Sequence, residues 1–342
     1  VLSKNINIVL IVVKKNVNNM KILSLFDGIS CARVALDRVG IPVEAYYASE
    51  VDKYAIQVSK NNYPDIKHIG DVTKISYKFL QDHEQKEYLK ELFEIDLLIG
   101  GSPCQDLSIA KKDRKGLDGE RSGLFYEYLR IRNEIKPKYF ILENVASMNK
   151  EARDTISKEL GVEPVMINAS LVSAQNRKRY FWVGKLVGER YEQVEIPQPE
   201  DRGILLKDIL LPETYTEFDK VHSLTASYNG AVLWNSVDKS QRTMVWNKPI
   251  KVGHFNKGGQ GQRVYSIDGK SVTLSALGGG WGAKTGLYQI KDYARKLEPI
   301  ECERLQGLPD NYTEGISNTQ RYKTLGNAFN VDVVAHIIKN LF

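Results

Sequence analysis

Between Lys21 and Leu186 the chain alternates short apolar runs with helix-spaced segments, and that alternation admits few folds. Lys21–Phe26, Val43–Glu50, Ile66–Ile69, Ile95–Gly100, Tyr139–Glu143, Pro164–Val172 and Arg179–Leu186 read as strands. Helical spacing fills residues 30–39, 52–61, 78–93 and 122–135. The alternation predicts an α/β fold with a doubly wound, mostly parallel sheet, because parallel neighbours need crossover connections. Such sheets keep their chemistry at the carboxyl ends of the strands. One strand runs into Gly100-Gly101-Ser102-Pro103-Cys104-Gln105-Asp106-Leu107-Ser108, and another into Glu143-Asn144-Val145. Two parallel strands would thus deliver a thiol and a carboxyl group to one sheet edge.

The chain has 342 residues, 42% of them hydrophobic, which suits about two globular domains. Its net charge of +6 is compatible with a polyanionic partner. The three cysteines, Cys31, Cys104 and Cys302, form no CxxC pair, and an odd number argues against a disulfide framework. A reducing, cytoplasmic setting is expected. The five histidines form no cluster with metal-ligand spacing, so no metal is expected. The apolar run Ile8–Val13 is too short to span a bilayer, and the charge that follows it is wrong for a secretory signal. Met20 reads as the natural start and residues 1–19 as an extension, an extra edge strand being the alternative.

The character changes after about residue 190. Pro197 and Pro199 mark a linker, and residues 221–290 lose helical periodicity and become rich in Gly, Thr, Ser, Trp and Tyr. A first α/β domain over 20–190 and a small, loop-rich β domain over 191–292 are predicted. Helical signals return at Pro299–Gln306 and Val331–Leu341, so 293–342 is expected to pack back on the first domain.

An ordered set of motifs now stands out. Phe26-Asp27-Gly28 lies after the first strand, Pro103-Cys104-Gln105 after the fourth and Glu143-Asn144-Val145 after the fifth. Gln175-Asn176-Arg177-Lys178-Arg179 follows, then Arg295 to Pro309 with Glu301, Arg304, Gln306 and Gly307, then Gly326-Asn327-Ala328. Any one triplet is weak evidence, but the ordered set resembles the cytosine-C5 DNA methyltransferase family from about Lys21 to Phe342. In detail it looks closest to the de novo animal enzymes and their bacterial and phage relatives. One departure matters: the usual family loop is FxGxGG, and Ser30 and Cys31 replace its last two glycines.

The resemblance implies a Rossmann-like catalytic domain, a target-recognition domain over 191–292 and S-adenosylmethionine as methyl donor. Cys104 would add to carbon 6 of a cytosine flipped out of double-stranded DNA. A free cysteine has a pKa of about 8.5, so nearby arginines or a helix dipole would have to raise its thiolate fraction. Glu143 would protonate N3, general acid help of this kind giving ~10²–10⁴ in rate. Asn144 would tie the cysteine loop to its strand, Arg177 would anchor the ring carbonyl, and Arg179 would support Glu143. Glu50 would take the ribose hydroxyls and Asp71 the adenine amino group, with Phe26, Asp27, Gly28, Ile29 and Cys31 wrapping the methionine part. Val51, Val72, Gly101, Pro103, Leu124, Asn327 and Ala328 would complete the pocket. Asp71 alone suits a helix N-cap equally well, and the turn-and-acid layout also suits NAD.

For DNA, Gln105, Ser108, Lys111, Arg114 and Arg121 lie on a basic stretch read as a loop closing over the duplex, and Gln260, Gln262 and Arg263 are candidates for base edges. Hairpin turns explain the glycines around 254–263 nearly as well. A monomer is expected, with a cognate restriction endonuclease as a candidate partner. The competing readings are a DNA-binding relative without catalysis and a tRNA cytosine-C5 methyltransferase. The small domain of about 100 residues argues against a free nucleotide substrate, which needs no groove reader.

Overall fold

The computed structural model describes residues 19–75, 94–102, 123–211, 251–254, 263–274, 285, 287–290, 293–295 and 297–342. The predicted helix at 78–93 and all but the last residue of the predicted extension lie outside them. The main sheet comprises β1 (Met20–Leu25), β2 (Val43–Ser49), β3 (Lys67–His68), β4 (Leu97–Gly101), β5 (Tyr139–Val145), β6 (Pro164–Asn168), β7 (Lys178–Val187) and β8 (Arg190–Gln193). Its order is β3-β2-β1-β4-β5-β7-β6, with β8 paired to β7. The first five strands in chain order are parallel, and β7 runs antiparallel to β5, β6 and β8.

The order reverses at β1, which lies between β2 and β4; a crevice opens outside the carboxyl ends at such a switch point. The register brings those ends level. Leu25 pairs with Ser49 on one side and Gly100 on the other, and Gly101 pairs with Glu143. Residues Leu25, Ser49, Gly101 and Glu143 therefore surround one rim.

Both faces of the sheet are covered, which is why its central strands read as continuous apolar runs. Ile22, Ile99 and Ile141 belong to one core cluster, while their neighbours Leu23, Leu98, Phe140 and Leu142 belong to the other. The first face meets α1 (Cys31–Arg38), α2 (Lys53–Asn62) and α7 (Val331–Leu341); the second meets α3 (Leu124–Ile135) and α4 (Lys150–Leu160). The expected return of the C-terminal helix is present, with α7 packed against α1. Two further helices, α5 (Pro299–Leu305) and α6 (Asn318–Asn327), precede it.

Several details differ from the sequence reading. The strand predicted over Pro164–Val172 stops at Asn168, whose side chain accepts from the Ser170 and Arg177 N–H groups and turns the chain into a short 3-10 helix. The polar β8, α4 and α6 were not anticipated. The second sheet has the order β12-β11-β10-β9, built from β9 (Lys251–His254), β10 (Arg263–Ser266), β11 (Leu287–Ile290) and β12 (Tyr293–Arg295). The expected break at 190/191 lies within β8, and that at 292/293 lies between the paired strands β11 and β12.

The segment after β10 is stitched to the first sheet's surroundings. Asn176 N–H donates to the Ser271 carbonyl at 3.0 Å, and Lys207 N–H to that of Ile267 at 3.0 Å. Further on, Glu303 is fully buried and takes the Arg321 guanidinium at 2.8 Å together with the N–H groups of Asn311 and Thr313. Removing one partner of such a pair leaves an uncompensated charge. Glu303→Ala is expected to lose about 3 kcal/mol in urea denaturation. A change within ~0.5 kcal/mol would show that this network does not hold the C-terminal segment.

Candidate active site

The turn after β1 is conformationally costly. Phe26, Gly28 and Ser30 have φ of 56°, 62° and 60°, and only the glycine adopts that region freely. A non-glycine residue there costs roughly 1–2 kcal/mol. Surrounding hydrogen bonds hold the turn in place. Gly28 N–H donates to Glu50 Oε2 at 2.8 Å, and the Tyr312 hydroxyl donates to the Ile29 carbonyl at 2.8 Å. Asp27 is buried and accepts from the Tyr46 hydroxyl at 2.7 Å and from Ser30 Oγ at 2.6 Å. Burial pushes its carboxyl up to about 6.

Glu50 ends β2. Its other oxygen accepts from the N–H groups of Val51 at 2.7 Å and Asp52 at 2.8 Å. A carboxylate offers about four acceptor positions, so one remains for a ligand hydroxyl. Asp52 caps α2, accepting from the Tyr54 and Ala55 N–H groups, and pairs with Lys323 of α6 at 2.5 Å. Asp71 follows β3. Its Oδ1 takes the Thr73 N–H and hydroxyl, both at 2.9 Å, and these bonds hold its carboxyl below the usual range. The N-cap reading of Asp71 is therefore correct, and its second oxygen stays available to a donor from the cavity.

On the far side, Glu143 Oε1 receives Arg179 Nε at 2.8 Å. Gly101 packs directly against it: a Cβ there would lie 3.0 Å from Glu143 Oε2 and 2.8 Å from the Phe329 ring. Asn144 is buried and its Nδ2 donates to Ser102 Oγ at 3.1 Å, tying the ends of β4 and β5 together. Arg177 is also buried. Its guanidinium donates to the Gly326 carbonyl at 3.3 Å and the Ala328 carbonyl at 2.9 Å.

These groups surround one cavity of about 310 Å³. Phe26, Gly28, Glu50, Val51, Asp71 and Val72 line it from β1, β2 and β3, and Gly101, Leu124, Glu143, Arg177, Arg179 and Asn327 from the other side. Ser49, Asp52, Ala55 and Thr324 also line it and were not singled out from the sequence, while Ser102, Val145 and Gly326 line it and stood in the quoted motifs without a role of their own. Of these, Asp52 carried a signal, an acidic residue directly before a helical run.

A model of C-5 cytosine-specific DNA methylases matches residues 20–342. The chain belongs to the C-5 cytosine-specific DNA methylase family. This C-5 cytosine methylase is 32% identical over 337 residues to the type II methyltransferase M.HhaI of Haemophilus parahaemolyticus, covering 96% of this chain and 95% of that one. It is also 32% identical to M1.ScrFI of Lactococcus lactis subsp. cremoris over 94% of this chain and 77% of that one. Its fold matches a solved DNMT2 variant from Spodoptera frugiperda, with TM-score 0.64, 18% identity and 95% and 100% of the two chains covered. It also matches a DNA modification methyltransferase encoded in an E. coli prophage, with TM-score 0.62, 20% identity and 94% and 98% covered. No helix among the described residues is long and apolar enough to cross a membrane.

The methylase site departs from the sequence expectation in places. The side chains of Cys31 and Ile29, each 1% exposed, belong to the core and not to the cavity wall. Cys31 opens α1 on the side that faces the sheet, and burial drives its thiol well above the ordinary range. Asp27, Asn144 and Ala328 also lie behind the wall and act on it through hydrogen bonds. Arg263 is exposed at the start of β10, away from the cavity. Pro103, Cys104, Gln105, Ser108, Lys111, Arg114, Arg121, Gln260 and Gln262 lie outside the described residues.

Gly101→Ala tests the packing at the rim. The added methyl group must displace Phe329 or Glu143, so methyl transfer is expected to fall at least ~10-fold while the melting temperature drops by only a few degrees. Unchanged kinetics would show that the position of Glu143 relative to β4 is immaterial.

Proposed function

We propose that this methylase transfers a methyl group from S-adenosylmethionine to carbon 5 of a cytosine flipped out of a specific sequence in duplex DNA. The observation that carries the reading is the single cavity that holds Glu50 and Asp71 at one end and Glu143 with its arginine at the other. Its volume is of the order of known small-molecule sites. The donor set fits the cofactor: one vacant acceptor position on Glu50 suits a ribose hydroxyl, and the second oxygen of Asp71 suits an adenine amino group. Bound S-adenosylmethionine would supply an electrophilic methyl group on a sulfonium.

The remaining chemistry belongs to the chain. Ser102 lines the cavity, and Cys104 follows it by two residues, a reach of at most ~7 Å. The Cys104 thiolate forms a bond to carbon 6, which breaks the ring's conjugation and makes carbon 5 nucleophilic. Glu143, oriented by Arg179, gives its proton to N3 as negative charge develops on the ring. Arg177 holds the ring carbonyl from the cavity wall while bracing the end of α6. After the methyl group has moved, a base removes the carbon 5 proton. The electron pair then expels the thiolate, N3 returns its proton to Glu143, and the ring is restored.

Base flipping costs a few kcal/mol of unstacking, which contacts to the emptied duplex must offset. The basic stretch with Lys111, Arg114 and Arg121 is assigned to that task, and residues 191–292, with Gln260, Gln262 and Arg263, to reading the sequence. The chain is proposed to act as a cytoplasmic monomer beside a cognate restriction endonuclease.

Cys104→Ser is expected to abolish methylation while retaining duplex binding, as measured by gel shift and by labelled methyl transfer. Loss of both together would make the cysteine structural. Wild-type protein should form a covalent complex with duplex DNA carrying 5-fluorocytosine when cofactor is present; its absence would remove the thiol-addition mechanism. Glu143→Gln should lower kcat by ~10²–10⁴. Glu50→Ala should weaken cofactor binding more than DNA binding, and the reverse order would cancel the ribose assignment. Transfer to tRNA in preference to duplex DNA would assign the enzyme the other polymer.

A further inference from the structure

Ser30 stands where the family loop has a glycine, and it keeps the glycine's left-handed conformation. Its hydroxyl does what no glycine can. Ser30 Oγ lies 2.6 Å from Asp27 Oδ2 and 2.6 Å from Ser59 Oγ on α2, and Ser59 Oγ lies 3.3 Å from His68 Nε2 on β3. Tyr46 donates to the other Asp27 oxygen. A continuous chain of polar atoms thus runs from a buried carboxyl under the turn to a half-buried imidazole at the sheet's edge.

The polarity of this chain follows from its ends. Ionised Asp27 only accepts, so Ser30 donates to it, Ser59 donates to Ser30, and His68 Nε2–H donates to Ser59. His68 Nδ1 is buried without a partner, which suits the neutral tautomer with no hydrogen on that atom. Burial and the nearby Lys60 charge both lower the His68 pKa, in agreement.

The groups facing Asp27 are Ser24 of β1, Tyr46 of β2, Glu50 just past its end, Ser30 and Cys31 of the turn and α1, and Tyr312 from the segment before α6. Among the described residues no lysine or arginine forms an ion pair with it. The hydroxyl groups of Ser24, Ser30 and Tyr46 therefore hold the charge. If the carboxyl is protonated it must itself donate, and one of those hydroxyls loses its acceptor. The turn that carries Phe26 and Gly28 then loses a bond that fixes its left-handed geometry.

We propose that Asp27 is a positioning residue for the cofactor turn, acting through Ser30 and Tyr46, and that its ionisation sets the affinity for the methyl donor without touching it. The proposal rests on the cofactor reading of the cavity. The sign is definite: the ionised form supports the bound turn, so affinity falls as pH drops through the Asp27 titration, near 6. A cationic ligand adds to this direction, since it favours the ionised carboxylate.

The experiment is calorimetric titration of the purified chain with S-adenosylmethionine between pH 5 and 7. Kd is expected to rise about 10-fold from pH 7 to pH 5 in the wild type. Asp27→Asn should give a weak, pH-independent Kd. Ser30→Gly relieves the backbone and deletes the hydroxyl, and Tyr46→Phe deletes another donor; each should move the midpoint to higher pH. His68→Asn should leave the wild-type profile nearly in place. A flat wild-type profile, or one that vanishes with His68→Asn, overturns the proposal and leaves the cofactor assignment intact. No binding at any pH overturns both. If Asp27→Asn does not fold, unchanged midpoints in Ser30→Gly and Tyr46→Phe are equally decisive against it.

Discussion

The carboxylate of Glu50 joins the two turns that make the cavity. It takes one N–H from the turn after β1 and two from the turn before α2. Hydrogen bonds to a charged acceptor are roughly twice as strong as neutral ones. The turn before α2 is short and its one apolar side chain, Val51, is exposed. The relative position of the two turns depends on an acidic residue at the end of β2, level with the end of β1. The wall that faces them arrives much later in the chain. Asn62 Nδ2 donates to the Tyr312 carbonyl, the Tyr312 hydroxyl reaches Ile29, and Lys323 reaches Asp52. The cavity is thus complete only when residues some 250–280 positions apart have met. Such long-range closure is slow to form.

The Gln175–Arg179 motif works as a brace with three arms. Gln175 is buried, and its Oε1 accepts the Leu274 N–H while its Nε2 points to the Leu305 carbonyl. Arg177 holds the carbonyls at the end of α6, and Arg179 holds Glu143. Alternate residues of one extended segment share a face, as the two-residue period of a strand requires, and each of the three reaches a different partner. Read from the sequence, Arg177 and Arg179 were assigned to substrate and carboxyl. The bond from Arg177 to α6 had no signal, because its carbonyl partners lie about 150 residues away.

What was legible follows the same logic. The strands of the parallel half stood out because burial on both faces leaves long apolar runs, as in Leu97-Leu98-Ile99 and Phe140-Ile141-Leu142. Glu50, Asp71 and Glu143 stood out because each directly follows or ends such a run. The antiparallel direction of β7 was not legible, since an apolar run carries no direction. Helix α6 was missed because its sequence is mostly polar; it is held by the Lys323 and Arg321 ion pairs and by Tyr322, whose hydroxyl donates to the Leu297 carbonyl. Cys31 was misassigned because a motif places a residue near a loop without saying which way its side chain turns.

Charge is divided across the cavity, and the division suits the proposed chemistry. Glu50, Asp52 and Asp71 come from the ends of β2 and β3; Arg177 and Arg179 come from β7 and the residue before it. Among the described residues, only Asp52 of the three acids has a lysine partner. A sulfonium with its ammonium group is favoured on the acidic side. A pyrimidine gaining electron density from a thiolate is favoured on the arginine side, where fixed donors need no reorganisation as charge develops. Reversing that arrangement would place the cation beside two guanidinium groups and the anion beside carboxylates. At ~4 Å and an effective dielectric of 20, each such pair is unfavourable by ~4 kcal/mol before screening. The sheet fixes which side is which: β1 and β4 form the seam, acids follow the strands on one side of it, and β5 and β7 lie on the other.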